Sequence, residues 1–269
     1  RIKAAAGENW DDFVKYCIKN DLTGVECLSG IPGSVGATPI QNVGAYGQEA
    51  RNIIYSVTAL DRETYEVKTF TNKDCEFAYR ESRFKDAAKD KDKYIILDVV
   101  FYMIKFAKPK IKYLELQKYF KKHTDLSKLK NGHEKLSAVR KAVLELRKKK
   151  SMVISKSDPN SVSCGSFFVN PILTENEFND FLKKTEKFKR KSPYFQTGKF
   201  YKLPAAWLIE NAGFEKGYKK KNAGISENHS LALVNNGGTA KELLALATEI
   251  EKKVFKVFGI KLIIEPEIL

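Results

Sequence analysis

Residues 30–49 read GIPGSVGATPIQNVGAYGQE and place five glycines within eighteen residues, interrupted by Pro32 and Pro39. Glycine tolerates left-handed backbone and lets main-chain N–H groups approach a ligand closely, as pyrophosphate binding requires. The spacing matches neither the Walker motif nor the G-x-G-x-x-G fingerprint. These residues alone therefore leave two interpretations open, a cradle for a nucleotide and a long structural turn.

The segments on either side of this loop carry both helix and strand signals. Upstream, Asn9 is a candidate helix N-cap. The apolar residues behind it recur at helical spacing and are Trp10, Phe13, Val14, Cys17 and Ile18. Downstream, β-rich runs at 53–60 and 64–70 flank a turn, and residues 94–104 predict one long strand. The first hundred residues therefore predict an α+β fold.

A further helix is predicted from residue 136, where leucine and valine recur at helical spacing ahead of three lysines at 148–150. Lysines at that position suit a helix C-terminus. A second α+β unit is expected to follow, beginning with a strand over 165–170 and a helix capped by Thr174 and Glu177. The junction between the two units is expected near residues 150–160.

The last helix has the strongest signals. Thr239 and Glu242 have the spacing of a capping box, and Gly259 is a candidate C-cap. A terminal strand over 260–264 is expected after it.

The chain has 269 residues and a formal net charge of +15, which favours an anionic partner such as nucleic acid, a membrane surface or a phosphorylated small molecule. No apolar run approaches the length of a membrane-spanning helix, and the N-terminus lacks the apolar core of a signal peptide. The cysteines at 17, 27, 75 and 164 lie singly, without the close pairs typical of metal sites or disulfide frameworks. We therefore expect a cytosolic protein without a metal. Because Arg1 reads as the middle of a strand, we also expect an N-terminal part to be missing.

The glycine-rich run and several other segments, in the same order, resemble a known enzyme family. The other segments are GENW at 7–10, YRES at 79–82, GSFFVN at 165–170 and EPE at 265–267. On these motifs the chain resembles the UDP-N-acetylenolpyruvoylglucosamine reductases, bacterial peptidoglycan enzymes also called UDP-N-acetylmuramate dehydrogenases. The segment IKY at 111–113 is similar to the tyrosine-bearing loop of the longer, type I members.

This resemblance implies a fold and a reaction. Residues 1–158 would form an incomplete FAD-binding α+β domain of the PCMH/vanillyl-alcohol-oxidase-like type, and residues 159–269 a smaller α+β substrate-binding domain. NADPH would reduce FAD, and the flavin would pass hydride to the double bond of UDP-N-acetylglucosamine enolpyruvate, giving UDP-N-acetylmuramate. The resemblance also implies a monomeric enzyme of the bacterial cytoplasm that binds neither nucleic acid nor a membrane.

The reaction needs a positive charge, a hydrogen-bond donor and a proton source, because hydride addition leaves charge on the adjacent carbon and its carboxylate. The resemblance assigns Arg80 to the carboxylate, Ser166 to protonation of the carbon and Glu267 to the developing enediolate. The role of Glu267 requires an environment that keeps it protonated, and Glu265 is the alternative glutamate. Without the resemblance, these residues read as a surface ion pair, a turn cap and a solvated strand end.

The resemblance assigns the FAD contacts to the glycine-rich run and the UDP-sugar contacts to other segments. The FAD contacts are Gly30, Ile31, Pro32, Gly33, Gly36, Ala37, Thr38, Val43 and Gly44. The UDP-sugar contacts are Tyr79, Tyr113, Lys156, Asn170 and His229. Lys156 matches only if a gap is allowed before Asp158, and His229 otherwise reads as a structural histidine. We interpret Cys164 as a small filler residue and not as a nucleophile.

The sequence departs from the family in one respect and leaves other function classes open. The glycine-rich G-G-G-S-N type loop that binds the FAD pyrophosphate in the family is absent, so we expect these residues alone to bind FAD weakly or not at all and leave open whether they are active. A different FAD-dependent oxidoreductase and a basic nucleic-acid-binding module are the alternatives. An acyl-enzyme hydrolase is disfavoured because G-x-S-x-G is missing.

Overall fold

The computed structural model describes residues 1–130, 132–188 and 191–268. The chain divides into two compact units, Arg1–Lys148 and Lys149–Leu269, and each has its own buried core. Helices and antiparallel sheets occur together in both units, which confirms the predicted α+β class.

The first unit combines an antiparallel sheet with helices. Its helices are α1 Trp10–Lys19, α2 Ala37–Gln41, α3 Leu114–His123 and α4 Gly132–Lys149. Its strands are β1 Ile2–Ala5, β2 Leu22–Thr23, β3 Gly44–Ala45, β4 Gln48–Glu49, β5 Ile54–Asp61, β6 Val67–Thr71, β7 Tyr94–Phe101 and β8 Ile104–Lys105. The main sheet has the order β1-β7-β5-β6, while β2 pairs with β8 and β3 pairs with β4.

Helix α1 confirms the prediction made from its cap and its apolar stripe. The side chain of Asn9 accepts a hydrogen bond from the backbone N–H of Asp12, and the stripe from Trp10 to Ile18 is buried. Trp10 and Phe13 pack against Phe101 of the central strand β7, with ring centroids 6.1 and 4.6 Å from it. The apolar stripe therefore fastens α1 to the sheet.

Residues 94–104 form two strands and not the single strand predicted. Strand β7 ends at Phe101, which is fully buried, and the next residue, Tyr102, is exposed. The chain then leaves the main sheet, and Ile104 and Lys105 pair with β2. The apolar run continues through this change of partner, so the sequence pattern does not mark it.

The second unit packs three helices around short sheets. Its helices are α5 Glu175–Thr185, α6 Ala205–Asn211 and α7 Ala240–Phe258. Its strands are β9 Ile172–Leu173, β10 Phe195–Thr197, β11 Phe200–Lys202, β12 Lys219–Lys220, β13 Ala223–Ile225 and β14 Leu233–Asn235. The sheets have the orders β10-β11-β9 and β12-β13-β14. Both predicted capping boxes are present, at Thr174 and at Thr239.

Two strands predicted in the second unit are not regular strands. Residues 165–170 and 260–264 form no regular strand, and they meet only through an isolated bridge between Phe168 and Ile264. A second isolated bridge joins Ser166 to Ala232. Each bridge joins only a few residues, and its partner is far away in the sequence. β-rich composition alone therefore cannot distinguish such a bridged segment from a full strand.

Among the described residues, no helix combines the length and the apolar character needed to cross a membrane.

Candidate functional site

The glycine-rich loop is anchored at its start by a charged cluster in the first unit. The Asp11 carboxylate accepts a hydrogen bond from the Gly30 backbone N–H at 2.7 Å. The Arg140 guanidinium of α4 donates two hydrogen bonds to the same carboxylate, at 2.6 and 2.7 Å. Arg147 lies further along α4, and its guanidinium donates a hydrogen bond to the Gly30 carbonyl at 3.2 Å. Helices α1 and α4 therefore hold the loop from both sides.

This environment changes the acidity of Asp11. Burial by itself raises the pKa of a carboxyl group, but the hydrogen bonds from Arg140 and Gly30 favour the ionised form and outweigh burial. The pKa of Asp11 is lowered from 3.8 to about 2. The cluster is therefore an ion pair at neutral pH.

The glycines of the loop serve different purposes. A Cβ at Gly30 would lie 2.6 Å from the Leu144 side chain, and a Cβ at Gly36 would lie 2.6 Å from the Ala6 Cβ. The backbone N–H groups of these two glycines are also bonded within the protein. Close packing against Ala6 therefore requires glycine at position 36, and the φ of +70° favours glycine at position 30.

Gly33 is the position where the loop is open. Its φ is +115°, and a Cβ placed there would meet no atom within 4 Å. The adjoining Pro32 is exposed and Ser34 is half-buried, while the Gly33 carbonyl accepts a hydrogen bond from the Trp10 N–H at 3.0 Å. An open, positive-φ backbone segment suits the close approach of a diphosphate, and the residues present therefore fit part of an FAD site.

The remaining predicted FAD contacts lie along the same loop. Ile31 is half-buried, Ala37 is exposed, and Thr38 lies in α2 with its hydroxyl donating to the Val35 carbonyl at 2.7 Å. The backbone N–H of Val43 donates to the Thr38 carbonyl at 3.1 Å and so closes the turn after α2. These assignments stay predictions.

Arg80 is bonded directly to the glycine-rich loop. Its Nη2 donates to the Gly44 carbonyl at 2.7 Å, and a Cβ on Gly44 would lie 2.9 Å from the Arg80 Nη1. Arg80 also has a φ of +58°, a left-handed conformation that costs a non-glycine residue about 1 kcal/mol or more. Strained residues of this kind are concentrated in functional sites.

The turn that contains Arg80 is held at both ends. The Ala78 carbonyl accepts from the Asn42 side chain at 2.6 Å, and the Ser82 hydroxyl donates to the Ile40 carbonyl at 2.8 Å. The first unit thus brings Arg80 to the end of the glycine-rich loop.

One predicted substrate tyrosine, Tyr79, lies beside Arg80, and the other, Tyr113, lies beside Tyr46 and Gly47. The Arg80 guanidinium lies 5.3 Å from the Tyr79 ring centroid. Tyr113 packs edge-to-face on Tyr46 at 5.3 Å, and its backbone N lies 3.7 Å from where a Cβ on Gly47 would be. Burial, followed by the charges of Glu115 and Tyr79, raises the pKa of Tyr113. The first unit therefore gathers Arg80, Tyr79 and Tyr113 around residues 44–47.

In the second unit, the segment that carries Ser166 lies between the segments that carry Leu231 and Glu265. The Phe167 N–H donates to the Leu231 carbonyl at 2.7 Å on one side, and the Phe167 carbonyl accepts from the Glu265 N–H at 2.9 Å on the other. Phe168 is bridged to Ile264 in the segment that leads to Glu265, and Ser166 is bridged to Ala232 on the other side. The segment of the two glutamates, Glu265 half-buried and Glu267 exposed, therefore lies beside the segment that carries the predicted serine.

His229 lies in the loop that borders Ser166. Its Nδ1 is 3.1 Å from the Leu231 backbone N–H, which makes Nδ1 the acceptor and leaves the proton on Nε2. Burial, with the positive charges of Lys150 and Lys216, lowers the pKa of His229 from 6.5 to about 4. The ring is therefore a neutral hydrogen-bond donor at physiological pH.

Asn170 and Lys156 have different surroundings. The Asn170 side chain accepts from the Ala205 N–H at 2.9 Å and so caps α6. Lys156 is exposed and borders a cleft of about 560 Å³ together with Ser163, Cys164 and Leu233. Burial raises the pKa of the Cys164 thiol, which agrees with its interpretation as a filler residue.

Sequence reasoning missed Asp11, Asn42 and Lys150. Asp11 and Arg140 are 129 residues apart, so no local pattern links them. Asn42 lies inside the conspicuous glycine-rich run, and its left-handed φ of 43° is typical of asparagine at a helix C-cap. Lys150 looked like one of three lysines at a helix end, yet its charge acts on His229.

Among the residues that the structure describes, no cluster of three or more histidine, cysteine, aspartate and glutamate side chains could hold a metal ion. All four cysteines are free.

Two family models match the chain. Residues 158–269 match the C-terminal domain of UDP-N-acetylenolpyruvoylglucosamine reductase, and residues 1–69 match an FAD binding domain.

Curated relatives match the chain along almost its whole length. The UDP-N-acetylenolpyruvoylglucosamine reductase of Thermobifida fusca is 45% identical over 99% of this chain and 74% of the relative. The reductase of the same name from Flavobacterium johnsoniae is 40% identical over 100% of this chain and 75% of the relative. That of Mycobacterium tuberculosis is 39% identical over 100% and 73%.

A solved structure has the same fold. The crystal structure of UDP-N-acetylenolpyruvylglucosamine reductase from Thermus caldophilus superposes with a TM-score of 0.63 at 19% identity. The match covers 99% of this chain and 71% of that chain.

Proposed function

The chain belongs to the UDP-N-acetylenolpyruvoylglucosamine reductase family, and from that membership we propose that it reduces UDP-N-acetylglucosamine enolpyruvate to UDP-N-acetylmuramate, with FAD as cofactor and NADPH as reductant. The observation that carries the proposal is the 45% identity to the Thermobifida fusca reductase over 99% of this chain. The reaction is a step in making peptidoglycan precursors. Bound FAD supplies the hydride.

Arg80 binds the carboxylate of the enolpyruvyl group in this proposal. A guanidinium stays charged at all physiological pH values and meets a carboxylate with two parallel hydrogen bonds. One N–H of Arg80 is already directed to the Gly44 carbonyl, which limits rotation of the guanidinium. A charge held in advance stabilises the negative charge that develops when hydride adds to the double bond.

Ser166 and Glu267 provide the proton and the hydrogen bond in the same step. Ser166 donates its hydroxyl proton to the carbon next to the carboxylate, and Glu267, which this role requires to be protonated, donates a hydrogen bond to the enediolate oxygen. The pairing of Phe168 with Ile264 supports this assignment because it brings the two segments together. Glu265 is the alternative if the register shifts.

In this proposal, neutral and positively charged hydrogen-bond donors bind the UDP diphosphate. His229 offers its Nε2 proton, and Lys150, whose charge acts on His229, adds a cation to that corner of the second unit. Tyr113, Asn170 and Lys156 complete the proposed set, with Tyr79 beside Arg80. Lysines and N–H donors are the groups that bind diphosphate oxygens.

We further propose that the protein works as a monomer in the bacterial cytoplasm, where nucleotide sugars and NADPH are available. We place the boundary between the FAD-binding and substrate-binding domains at residue 158, where the C-terminal family model begins.

Two half-reactions test the proposal. The full-length natural protein, purified and supplied with FAD, should oxidise NADPH slowly alone and quickly when UDP-N-acetylglucosamine enolpyruvate is added. In Ser166→Ala, stopped-flow absorbance should show flavin reduction by NADPH at the wild-type rate, while reduction of the UDP-sugar falls by about 10²-fold or more. Ser163→Ala, three residues earlier in the chain, is the matched control and should retain both half-reactions.

The same experiment separates this proposal from a different FAD-dependent oxidoreductase. If the UDP-sugar does not accelerate NADPH oxidation and Ser166→Ala reduces both half-reactions equally, the substrate assignment is wrong. If the protein binds no flavin at all, it belongs to a flavoenzyme family but does not carry out the family's reaction.

A further inference from the structure

We infer that Asn42 is a positioning residue that sets Arg80 against the glycine-rich loop, and that it acts on the second half-reaction without touching substrate. This inference rests on the proposed function. No sequence motif assigns a role to Asn42, which lies between the predicted FAD contacts Thr38 and Val43.

The Asn42 side chain is fully buried and joins three segments of the first unit. Its Nδ2 donates to the Ala78 carbonyl at 2.6 Å and to Glu49 Oε2 at 3.1 Å. Its Oδ1 accepts from the Arg51 backbone N–H at 3.1 Å. Side-chain amides that use both ends inside a protein fix the distance between the segments they join.

The contact with Ala78 matters because the next turn contains Arg80. Ala78 and Glu81 form an isolated antiparallel bridge, and Arg80 lies inside it with a φ of +58°. A strained turn persists only where surrounding contacts hold it. Asn42 supplies such a contact at the start of the turn, and Ser82 supplies another at its end through the Ile40 carbonyl.

Asn42 also controls where the partner of Arg80 lies. It caps α2 in the left-handed conformation, at φ 43° and ψ 60°, and so directs the chain into Val43 and Gly44. The carbonyl of Gly44 receives the hydrogen bond from Arg80. One buried side chain therefore holds both the turn that carries the arginine and the segment that carries its acceptor.

The chemistry follows from this geometry. If Asn42 is lost, the Arg80 guanidinium remains in the site but samples more positions relative to the carboxylate that it binds. Displacement of a charged group by about 1 Å lowers a rate by about 10²-fold. The NADPH half-reaction does not use Arg80 and should be unaffected.

Two substitutions separate the side chain from the backbone conformation. Asn42→Asp keeps the acceptor for Arg51 and removes the donor to Ala78, whereas Asn42→Gly accepts the left-handed backbone and removes the whole side chain. Asn72→Asp is the matched control, since the Asn72 Nδ2 also donates to two acceptors, the carbonyls of Arg51 and Ile54, but does not contact the Arg80 turn.

The expected result is a loss of about 10- to 100-fold in kcat for reduction of the UDP-sugar in both Asn42 variants. Flavin reduction by NADPH should be unchanged, and Asn72→Asp should retain both rates. In an Arg80→Lys background, Asn42→Gly should add no further loss, because residues that act through one group are non-additive. Hydrogen exchange of peptides covering residues 42–50 and 76–84 should quicken in the Asn42 variants and not in Asn72→Asp.

Independent, multiplicative effects of Asn42→Gly and Arg80→Lys would overturn the inference, as would equal losses in the two half-reactions. If the wild-type protein does not reduce the UDP-sugar, the proposed function has failed, and the exchange experiment then decides the inference alone. Unchanged exchange in the peptide covering residues 76–84 would contradict it.

Discussion

The surroundings of His229 determine its protonation state. Its ring is neutral because burial and two lysines lower its pKa to about 4, against 6.5 for a free histidine. The unfolded chain therefore binds a proton between these values and the folded protein does not. Since the unfolded state takes up more protons in that window, the free energy of unfolding should fall as pH is lowered from about 6.5 to 4.

We therefore expect the urea midpoint of the protein to decrease from pH 7 to pH 4.5, and His229→Gln to flatten this dependence. The measurement is urea unfolding followed by circular dichroism over that range. Substituting exposed His123 by Gln is the control and should leave the slope as it is in the wild type. A slope equal in wild type and His229→Gln would contradict the neutral assignment.

Motifs in the sequence identify candidate functional residues, but they do not predict the contacts that those residues make in the folded protein. Arg80 and Ser166 are found from their motifs, but the left-handed φ of Arg80 and its bond to Gly44 depend on a segment 36 residues earlier in the chain. Glycine at positions 30 and 36 was predicted to serve a ligand, whereas each also fits against a neighbouring side chain. Such contacts are formed by folding and leave no local signal.

Among the elements, α4 is joined to α1 by the ion pair of Arg140 with Asp11, and Asp11 in turn accepts a hydrogen bond from Gly30 of the glycine-rich loop. The Arg140 and Asp11 side chains are 16% and 23% exposed, so the pair is partly shielded from water. The pKa of Asp11 is lowered to about 2, which means that the pair stabilises the fold above pH 3.8. That contribution is lost as the pH falls from about 3.8 toward 2.

Arg140→Lys should destabilise the protein by about 1 kcal/mol, because lysine cannot make the two parallel bonds and the partly exposed pair is screened by solvent. Asp11→Asn should cost a similar amount and should also reduce the loss of stability on acidification below pH 4. Urea unfolding at pH 7 and pH 3 measures both effects. Lys183→Gln is the control, since Lys183 pairs with Asp180 on the exposed surface of α5. A larger effect of Lys183→Gln than of Arg140→Lys would refute this explanation.

Helices were predicted more accurately than strands, for a physical reason. The capping boxes at Thr174 and Thr239 and the stripe of α1 are contacts between residues three or four apart, so the sequence contains them directly. The segments 165–170 and 260–264 depend on partners far along the chain and form single bridges only. Residues 94–104 change partner at Tyr102 without any change in composition.

For the whole molecule, part of the net charge of +15 comes from lysines at the ends of helices. Lysines occupy the last turns of α1, α3, α5 and α7, where the helix dipole favours positive charge. The Lys184 ammonium, for example, donates to the Phe258 carbonyl at the end of α7 at 3.4 Å. These positions give the lysines a role in folding that does not require nucleic acid.

The two units each contain one of the two tryptophans, which makes their stabilities separately measurable. Trp10 is 1% exposed in the core of the first unit, and Trp207 is 4% exposed in the core of the second. Trp207→Phe therefore leaves a fluorophore that reports the first unit, and Trp10→Phe leaves one that reports the second. Ile250 of α7 is fully buried in the same core as Trp207, and Ile54 of β5 is buried in the same core as Trp10.

Ile250→Ala should lower the stability reported by Trp207 by about 2–5 kcal/mol, because it removes buried methyl groups and leaves a cavity. The shift reported by Trp10 should be smaller, since each unit has its own core. Ile54→Ala should give the opposite pattern and is the matched control. Urea unfolding followed by tryptophan fluorescence in the two single-tryptophan backgrounds measures this. Equal shifts at both tryptophans for both substitutions would mean that the two cores unfold as one cooperative unit.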